Sequence, residues 1–303
     1  MAVVLITGGT GMIGSHLTEA LLEKEHEVRH LSHSTGKGKV PTYRWDPKSG
    51  KIDDEALIGI THIVHLAGAG IADKRWTQKR VKELIDSRTA TARLLHSRIK
   101  ALGIPLQALI SAAGTGYYGA VTSDHIFRES DPAGNDTIAL ISKEWEKAVD
   151  EWRSTCRTVK LRTPMVLAAE SPAMAELSRP VRFGVGAPIG RGDQWLPWVH
   201  INDLVRLYIK AIEDPAMEGA YNANTSSEVT NADLMRGIAK ALHRPFFLPN
   251  IPAWLVRLIA GELSINVLEG SRCANDRVLA TGFQFDHTDL QKALNEVFSK
   301  RTA

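Results

Sequence analysis

Along the first two-thirds of the chain, short runs rich in Val, Ile and Leu alternate with longer stretches whose apolar residues recur at helical spacing. The short runs predict strands over 3–7, 27–32, 61–66, 108–112, 158–161 and 220–223. The longer stretches predict helices over 13–24, 76–101, 138–153 and 203–213. Strand and helix in regular alternation mean parallel strands joined by crossover helices, so the expected class is α/β with a doubly wound parallel sheet. From Glu228 the pattern changes: helical periodicity over 231–243, 253–261 and 288–298 follows with little strand between. The expected organisation is a large domain over 1–225 and a smaller, mostly helical C-terminal lobe over 226–303. The loop 168–199 is expected to reach that second lobe.

The first strand runs straight into Gly8-Gly9-Thr10-Gly11-Met12-Ile13-Gly14, and Ile13, Leu17 and Leu21 then recur at helical spacing. Glycines 8, 11 and 14 between a strand and a helix make a phosphate cradle. The backbone can turn tightly there and approach a pyrophosphate, whose charge the helix N-terminus favours. A dinucleotide is therefore expected, held by Gly8, Thr10, Gly11, Met12, Ile13 and Gly14. At the end of the second strand a carboxylate would select NAD by bonding the ribose 2′-hydroxyl. Here the chain reads His30-Leu31-Ser32-His33-Ser34, then Thr35-Gly36-Lys37-Gly38-Lys39, with no acid. Ser32, His33 and Ser34, with lysines nearby, suit a 2′-phosphate, so NADP (NADPH) is the expected cofactor.

The strand over 61–66 leads into Leu66-Ala67-Gly68-Ala69-Gly70, small residues that let a cofactor lie close. In the helix that follows, Val81, Leu84, Ile85, Ala92, Leu95, Ile99 and Leu102 form an apolar stripe on which Arg88 also falls. An inward guanidinium needs a partner. A ligand phosphate or carboxylate would serve, as would an internal pair with Glu83 or Asp86. Leu66, Ala67, Gly68, Glu83, Arg88 and Val166 complete the expected cofactor set.

Composition narrows the partners. A hydrophobic content of 44% with 23% charged residues describes an ordinary globular chain, and a net charge of +3 is too mild to point to nucleic acid. Cys156 and Cys273 form no C-x-x-C pattern, which leaves no disulfide framework and no zinc site in prospect. The pairs His30/His33 and His62/His65 are three apart in predicted strands and point to opposite faces, so no metal is expected. The most apolar stretch, 56–72, is broken by Thr61, His62 and His65. Neither a membrane span nor a signal peptide is expected, and the cytoplasm is the expected compartment.

Several further motifs carry a resemblance: Arg75-Trp76, Asp86-Ser87-Arg88, Ser111 through Gly116-Tyr117-Tyr118-Gly119, and Pro188-Ile189-Gly190 leading to Gln194-Trp195-Leu196-Pro197-Trp198. Trp198-Val199-His200-Ile201-Asn202-Asp203, Leu268-Glu269-Gly270 and Leu279-Ala280-Thr281-Gly282-Phe283 extend it to nearly the whole chain. With the glycine loop, these residues resemble the extended short-chain dehydrogenase/reductase superfamily. More narrowly they resemble its atypical, NAD-dependent epimerase-like subfamily, labelled nucleoside-diphosphate-sugar epimerase, with a small C-terminal domain. The resemblance implies a Rossmann fold and an NADP-type cofactor.

One element of that superfamily is missing. A Tyr-x-x-x-Lys pair normally exchanges the proton, yet none of the five tyrosines stands four residues before a lysine. Aligning Ser142-Lys143 with the superfamily's Ser-Lys puts Ala139 at the tyrosine position. Ala113 stands where the subfamily tends to carry a hydroxyl, flanked by Ser111 and Thr115. Tyr117, Tyr118 and Ser111 are the candidate catalytic groups, and His200 is a further candidate whose rival role is structural. Arg191, Trp195, Trp198 and His200 are candidates for a substrate pocket. Two functions are consistent with these residues. One is an NADP(H)-dependent oxidoreductase or epimerase of a small polar metabolite. The alternative is a catalytically degenerate NADP(H)-binding regulatory or redox-sensing protein. A homodimer stays open.

Overall fold

A computed structural model describes residues 1–34 and 39–299. The strands are β1 (Val3–Thr7), β2 (Glu27–Ser32), β3 (Thr42–Asp46), β4 (Lys51–Ile52), β5 (His62–His65) and β6 (Ala108–Gly114). They continue with β7 (Ile126–Phe127), β8 (Arg157–Thr163), β9 (Met165–Leu167), β10 (Trp198–His200), β11 (Gly219–Asn222) and β12 (Arg272–Cys273). The helices are α1 (Met12–Glu23), α2 (Gln78–Leu102), α3 (Thr137–Asp150), α4 (Pro172–Arg182) and α5 (Ile201–Glu213). After them come α6 (Asn231–Ala241), α7 (Ala253–Ala260), α8 (Ile265–Leu268), α9 (Asp276–Leu279) and α10 (Leu290–Ser299).

Eight strands form one sheet in the order β11-β8-β6-β5-β1-β2-β3-β4, parallel except where β4 turns back on β3. The order reverses between β1 and β5, whose pairing sets Thr7 level with His65. That switch point opens a crevice at the carboxyl ends of the strands, where ligands bind in such sheets. Alternation along the strands divides the core between two faces. Val4, Ile6, Val64, Ile110 and Val159 pack with Leu17 and Leu21 of α1 and Leu204, Leu207 and Tyr208 of α5. Leu5, Ile63 and Leu109 pack with Leu95 and Ile99 of α2 and with Trp145, Val149 and Trp152. Burial on both faces explains why the central strands read as unbroken apolar runs.

Thr77 starts α2 by accepting the Arg80 amide, and Gly103, at φ 63°, ends it. Trp76, expected inside that helix, precedes it instead, and its indole N–H donates to the Ile71 carbonyl at 2.9 Å. The segment 168–199 was expected to be a loop. It contains α4, which Ser171 caps and Pro172 opens, and then β10, paired in parallel with β9. Met174, Val181 and Trp198 from this segment join Leu167, Leu234, Ile238, Leu294 and Val297 in a separate core. No helix among the described residues is long and apolar enough to cross a membrane.

Candidate dinucleotide site

The glycine loop is built to be narrow. Gly8 sits at φ +72°, and its carbonyl accepts the Gly11 amide at 3.0 Å. Gly11 is the N-cap of α1 and supplies no side-chain cap, so first-turn amides remain to meet an anion. A Cβ on Gly14 would stand 2.4 Å from the Gly8 oxygen and 2.6 Å from the Gly9 Cα, a fit only glycine allows.

Neutral imidazoles support the loop from below. His65 faces Thr7 Oγ1 across 2.8 Å, and Thr7 Oγ1 accepts the Ala67 amide at 3.2 Å. His30 lies 2.8 Å from Thr18 Oγ1 with its ring directly beneath Gly9. Burial lowers His30, His62 and His65, pushing His62 and His65 down to about 4 and holding His30 below its ordinary value. The folded state thus resists their protonation, and the stability they contribute is complete above their ordinary value near 6.5. It should be lost as pH falls from about 6.5 toward 4, by about 3 kcal/mol each for His62 and His65. Urea titrations between pH 7.5 and 4.5 test this, and His62→Gln should flatten the slope.

A cleft of about 840 Å³ opens beside the loop. Of the expected cofactor residues it brings together Gly8, Thr10, Ser32, His33, Ala67, Gly68 and Glu83. It also collects residues the sequence reading missed: Trp45, Pro47, Lys48, Lys79, Lys82 and Ser87. Helical spacing with α2 could have revealed Lys79 and Lys82, but Trp45 and Lys48 belong to β3 and its turn. Ser34 instead lines a separate hollow with Glu19, His30 and Lys39, and Lys39 there pairs with Glu19. Lys37, also considered for the phosphate, lies outside the described residues. Val166 is buried in the main core.

Arg88 corrects another expectation. It is buried, yet it pairs with neither Glu83, which Arg80 holds at 2.9 Å, nor Asp86, which Lys82 holds at 2.5 Å. Its guanidinium donates to the Leu84 carbonyl at 3.0 Å and the Ala69 carbonyl at 2.9 Å, with Cζ 4.8 Å above the Trp145 ring. Burial, with Arg80 nearby, pushes it down to about 10. Arg88 therefore braces the Leu66–Gly70 turn, and a Cβ on Gly68 would come within 3.0 Å of it.

Two of the three candidate catalytic groups are sealed. Ser111 is fully buried and donates to the Ala112 carbonyl. Tyr118 is also buried, donating to Asn222 Oδ1 at 2.7 Å and accepting from Arg162 at 2.8 Å. Burial raises the Tyr118 phenol above its ordinary value and keeps it neutral, against the opposing effect of Arg162. Tyr117 remains half-exposed, with the Arg162 guanidinium 3.7 Å over its ring. Ala139 is fully buried and brings no hydroxyl, whereas Lys143 is exposed with no charge partner among the described residues.

The four proposed pocket residues do not converge. Trp198 is fully buried in the core with Met174 and Leu234. Arg191 is exposed and pairs with Asp193 at 3.0 Å. Trp195 lines a small hollow of about 180 Å³ with Arg128, Ser226 and Arg272, its indole donating to the Ser123 carbonyl.

His200 is buried, caps α5 by accepting the Asn202 amide, and stacks on His287 at 3.8 Å. His287 faces Asp203 through Nδ1 and Glu296 through Nε2, each at 3.1 Å. Ligand atoms of His200, His287 and Glu296 fall within 4.8 Å of one another, but rings only 19° from parallel keep their in-plane lone pairs in nearly parallel planes. The cluster works as a latch between α5 and the C-terminal segment. Asp203, wholly buried, also accepts the amides of Asp286 and His287. Asp203→Ala should cost about 3 kcal/mol by stranding those donors, measurable by chemical denaturation.

A glycine cradle at a switch point, opening on a cleft with an acid-free strand end, defines a dinucleotide-binding protein of the Rossmann type. The chain belongs to the NAD dependent epimerase/dehydratase family, which matches residues 4–223, and a domain of unknown function, DUF1731, matches residues 251–297. It is 34% identical over 298 residues to the epimerase family protein SDR39U1 of Mus musculus, covering 97% of this chain and 99% of that protein. It is 32% identical over 297 residues to the epimerase family protein ML0860 of Mycobacterium leprae, covering 97% and 95%. Among solved structures it resembles human SDR39U1 (isoform2) with NADPH, with a TM-score of 0.88 and 32% identity over 98% of this chain and 99% of that one. It shares its fold with the UDP-glucose 4-epimerase of Thermus thermophilus in complex with NAD, with a TM-score of 0.77 and 23% identity over 99% of both chains.

Proposed function

We propose that the protein binds NADPH in this cleft and acts as an oxidoreductase or epimerase of a small polar metabolite. The observation that carries the proposal is the glycine cradle opening onto Ser32 and His33, a strand end with no carboxylate to repel a 2′-phosphate. The NADPH-bound human relative supports the choice of nucleotide. When bound, NADPH supplies a hydride. The amides of the Gly8–Gly14 loop would hold its pyrophosphate, with Trp45 and Pro47 as an apolar wall for the adenine. Tyr117 is the group assigned to move the proton, since Ser111 and Tyr118 are sealed.

Quenching of tryptophan fluorescence by NADPH and by NADH tests the nucleotide. Binding of neither would reject the proposal. His33→Asp should weaken NADPH about tenfold or more by setting a carboxylate against the phosphate, with little loss for NADH. For the chemistry, NADPH consumption and product analysis over carbonyl and sugar-nucleotide substrates are required, because epimerisation leaves absorbance unchanged. Turnover lost in Tyr117→Phe with nucleotide binding intact is the expected result. A second reading, NADPH binding with a regulatory role, draws on the buried Ala139 at the tyrosine position. It gains if the protein binds NADPH tightly yet turns over nothing.

A further inference from the structure

We propose that Lys48 and Lys79 supply the charge that makes this cleft prefer a nucleotide carrying a 2′-phosphate, an inference that rests on the NADPH reading above. Among the described residues, the end of β2 offers hydroxyls and one imidazole, but no fixed cation. Lys39, the nearest described lysine in sequence, is bound to Glu19 in the neighbouring hollow. The fixed positive charge comes from elsewhere in the fold. Lys48 stands on the turn between β3 and β4, and Lys79 is in the first turn of α2, and both line the same cleft as Ser32 and His33.

The other charges in the cleft are already matched. Lys82 pairs with Asp86 at 2.5 Å, and Glu83 with Arg80 at 2.9 Å. Arg80 holds the Glu83 carboxyl below its ordinary value through its hydrogen bond, and Lys74 and Lys48 add to that. Neither Lys48 nor Lys79 has a carboxylate within salt-bridge distance among the described residues, so these are the cations left over for a ligand. The placement of Lys79 also runs against local preference. The first turn of a helix favours acids, yet that of α2 carries Lys79 and Arg80 and no acid. A bound dianion offsets that cost. A 2′-phosphate is the one group that distinguishes NADPH from NADH, and it contributes the extra charge two free ammonium groups would meet.

The test uses the full chain and four probes: NADPH, NADH, adenosine 2′,5′-bisphosphate and adenosine 5′-monophosphate. Trp45 in the cleft wall provides the fluorescence signal. Lys48→Ala and Lys79→Ala should each weaken NADPH about tenfold, and the double variant about a hundredfold, with NADH changed by less than about twofold. The bisphosphate should lose affinity in parallel with NADPH and the monophosphate should not, which separates the 2′-phosphate from the nicotinamide end. The salt dependence of NADPH binding should become shallower in the double variant. An unchanged NADPH-to-NADH ratio in the double variant overturns the inference. So does an equal loss for both nucleotides, which would assign the lysines to the pyrophosphate. If His33→Asp lowers NADPH affinity while the double lysine variant does not, the proposed function stands and this inference fails. Both side chains are exposed, so their removal leaves the fold intact.

Discussion

Glu146→Gln is expected to destabilise the fold by about 3–5 kcal/mol. The Glu146 carboxylate bonds Arg162 at 2.7 and 3.1 Å and Lys160 at 3.1 Å, and all three side chains are buried. Burial works against the charge on Arg162, and Glu146 with Tyr118 more than offsets it, holding the guanidinium above its ordinary range. A glutamine of the same size keeps the shape but leaves two interior cations with only one partial replacement, since Asp150 reaches Lys160 alone. Arg162 also stacks on Tyr117 and bonds Tyr118, so the loss should loosen the turn after β6 as well. Urea unfolding monitored by circular dichroism measures the cost. A change below about 0.5 kcal/mol would show that the two cations find other partners, and the network would lose its structural role.

Gly14→Ala should reduce NADPH affinity at least a hundredfold, about 3 kcal/mol. The new methyl would overlap the Gly8 carbonyl oxygen at 2.4 Å and the Gly9 backbone at 2.6 Å. No side chain can swing aside there, so α1 must move away from the loop that holds its first turn in place. The phosphate-facing amides would then lose their common direction. Gly59→Ala is the control: that glycine has φ +72° with nothing within 4 Å of its Cβ position, and it lies in a remote turn. It should cost about 1 kcal/mol of stability with no change in nucleotide affinity. Equal losses of nucleotide binding in the two variants would mean the effect is global softening, not closure of the cradle.

Elements whose logic is local were legible. β1, β2 and the start of α6 lie where periodicity places them, because each carries its own apolar rhythm and its own turn or cap. β3 was missed because it runs beside the sheet's edge and only Trp45 of its five residues is buried, which leaves no alternation to see. α4 was missed because prolines at 172 and 180 make its sequence look broken, although the first opens the helix and the second falls near its end. Within the site, the glycine cradle was legible because the same few consecutive residues supply both the turn and the close contact. The roles of Arg88, Tyr118 and Trp198 were not, since an inward or aromatic residue looks the same in a sequence whether it faces a ligand or a neighbour.

The sequence by itself determined the alternation of the main strands and helices and the position of the phosphate-binding turn. These follow from spacing between neighbours along the chain. Only the tertiary structure decided which polar groups are free. Tyr118 is withdrawn by Asn222, 104 residues away, and His287 is held by Asp203 across 84 residues. Lys48 and Lys79 come to one cleft because β3 and α2 flank the same strand ends. Burial and hydrogen-bond satisfaction depend on what packs opposite, and that partner is chosen by the whole fold, not by local spacing.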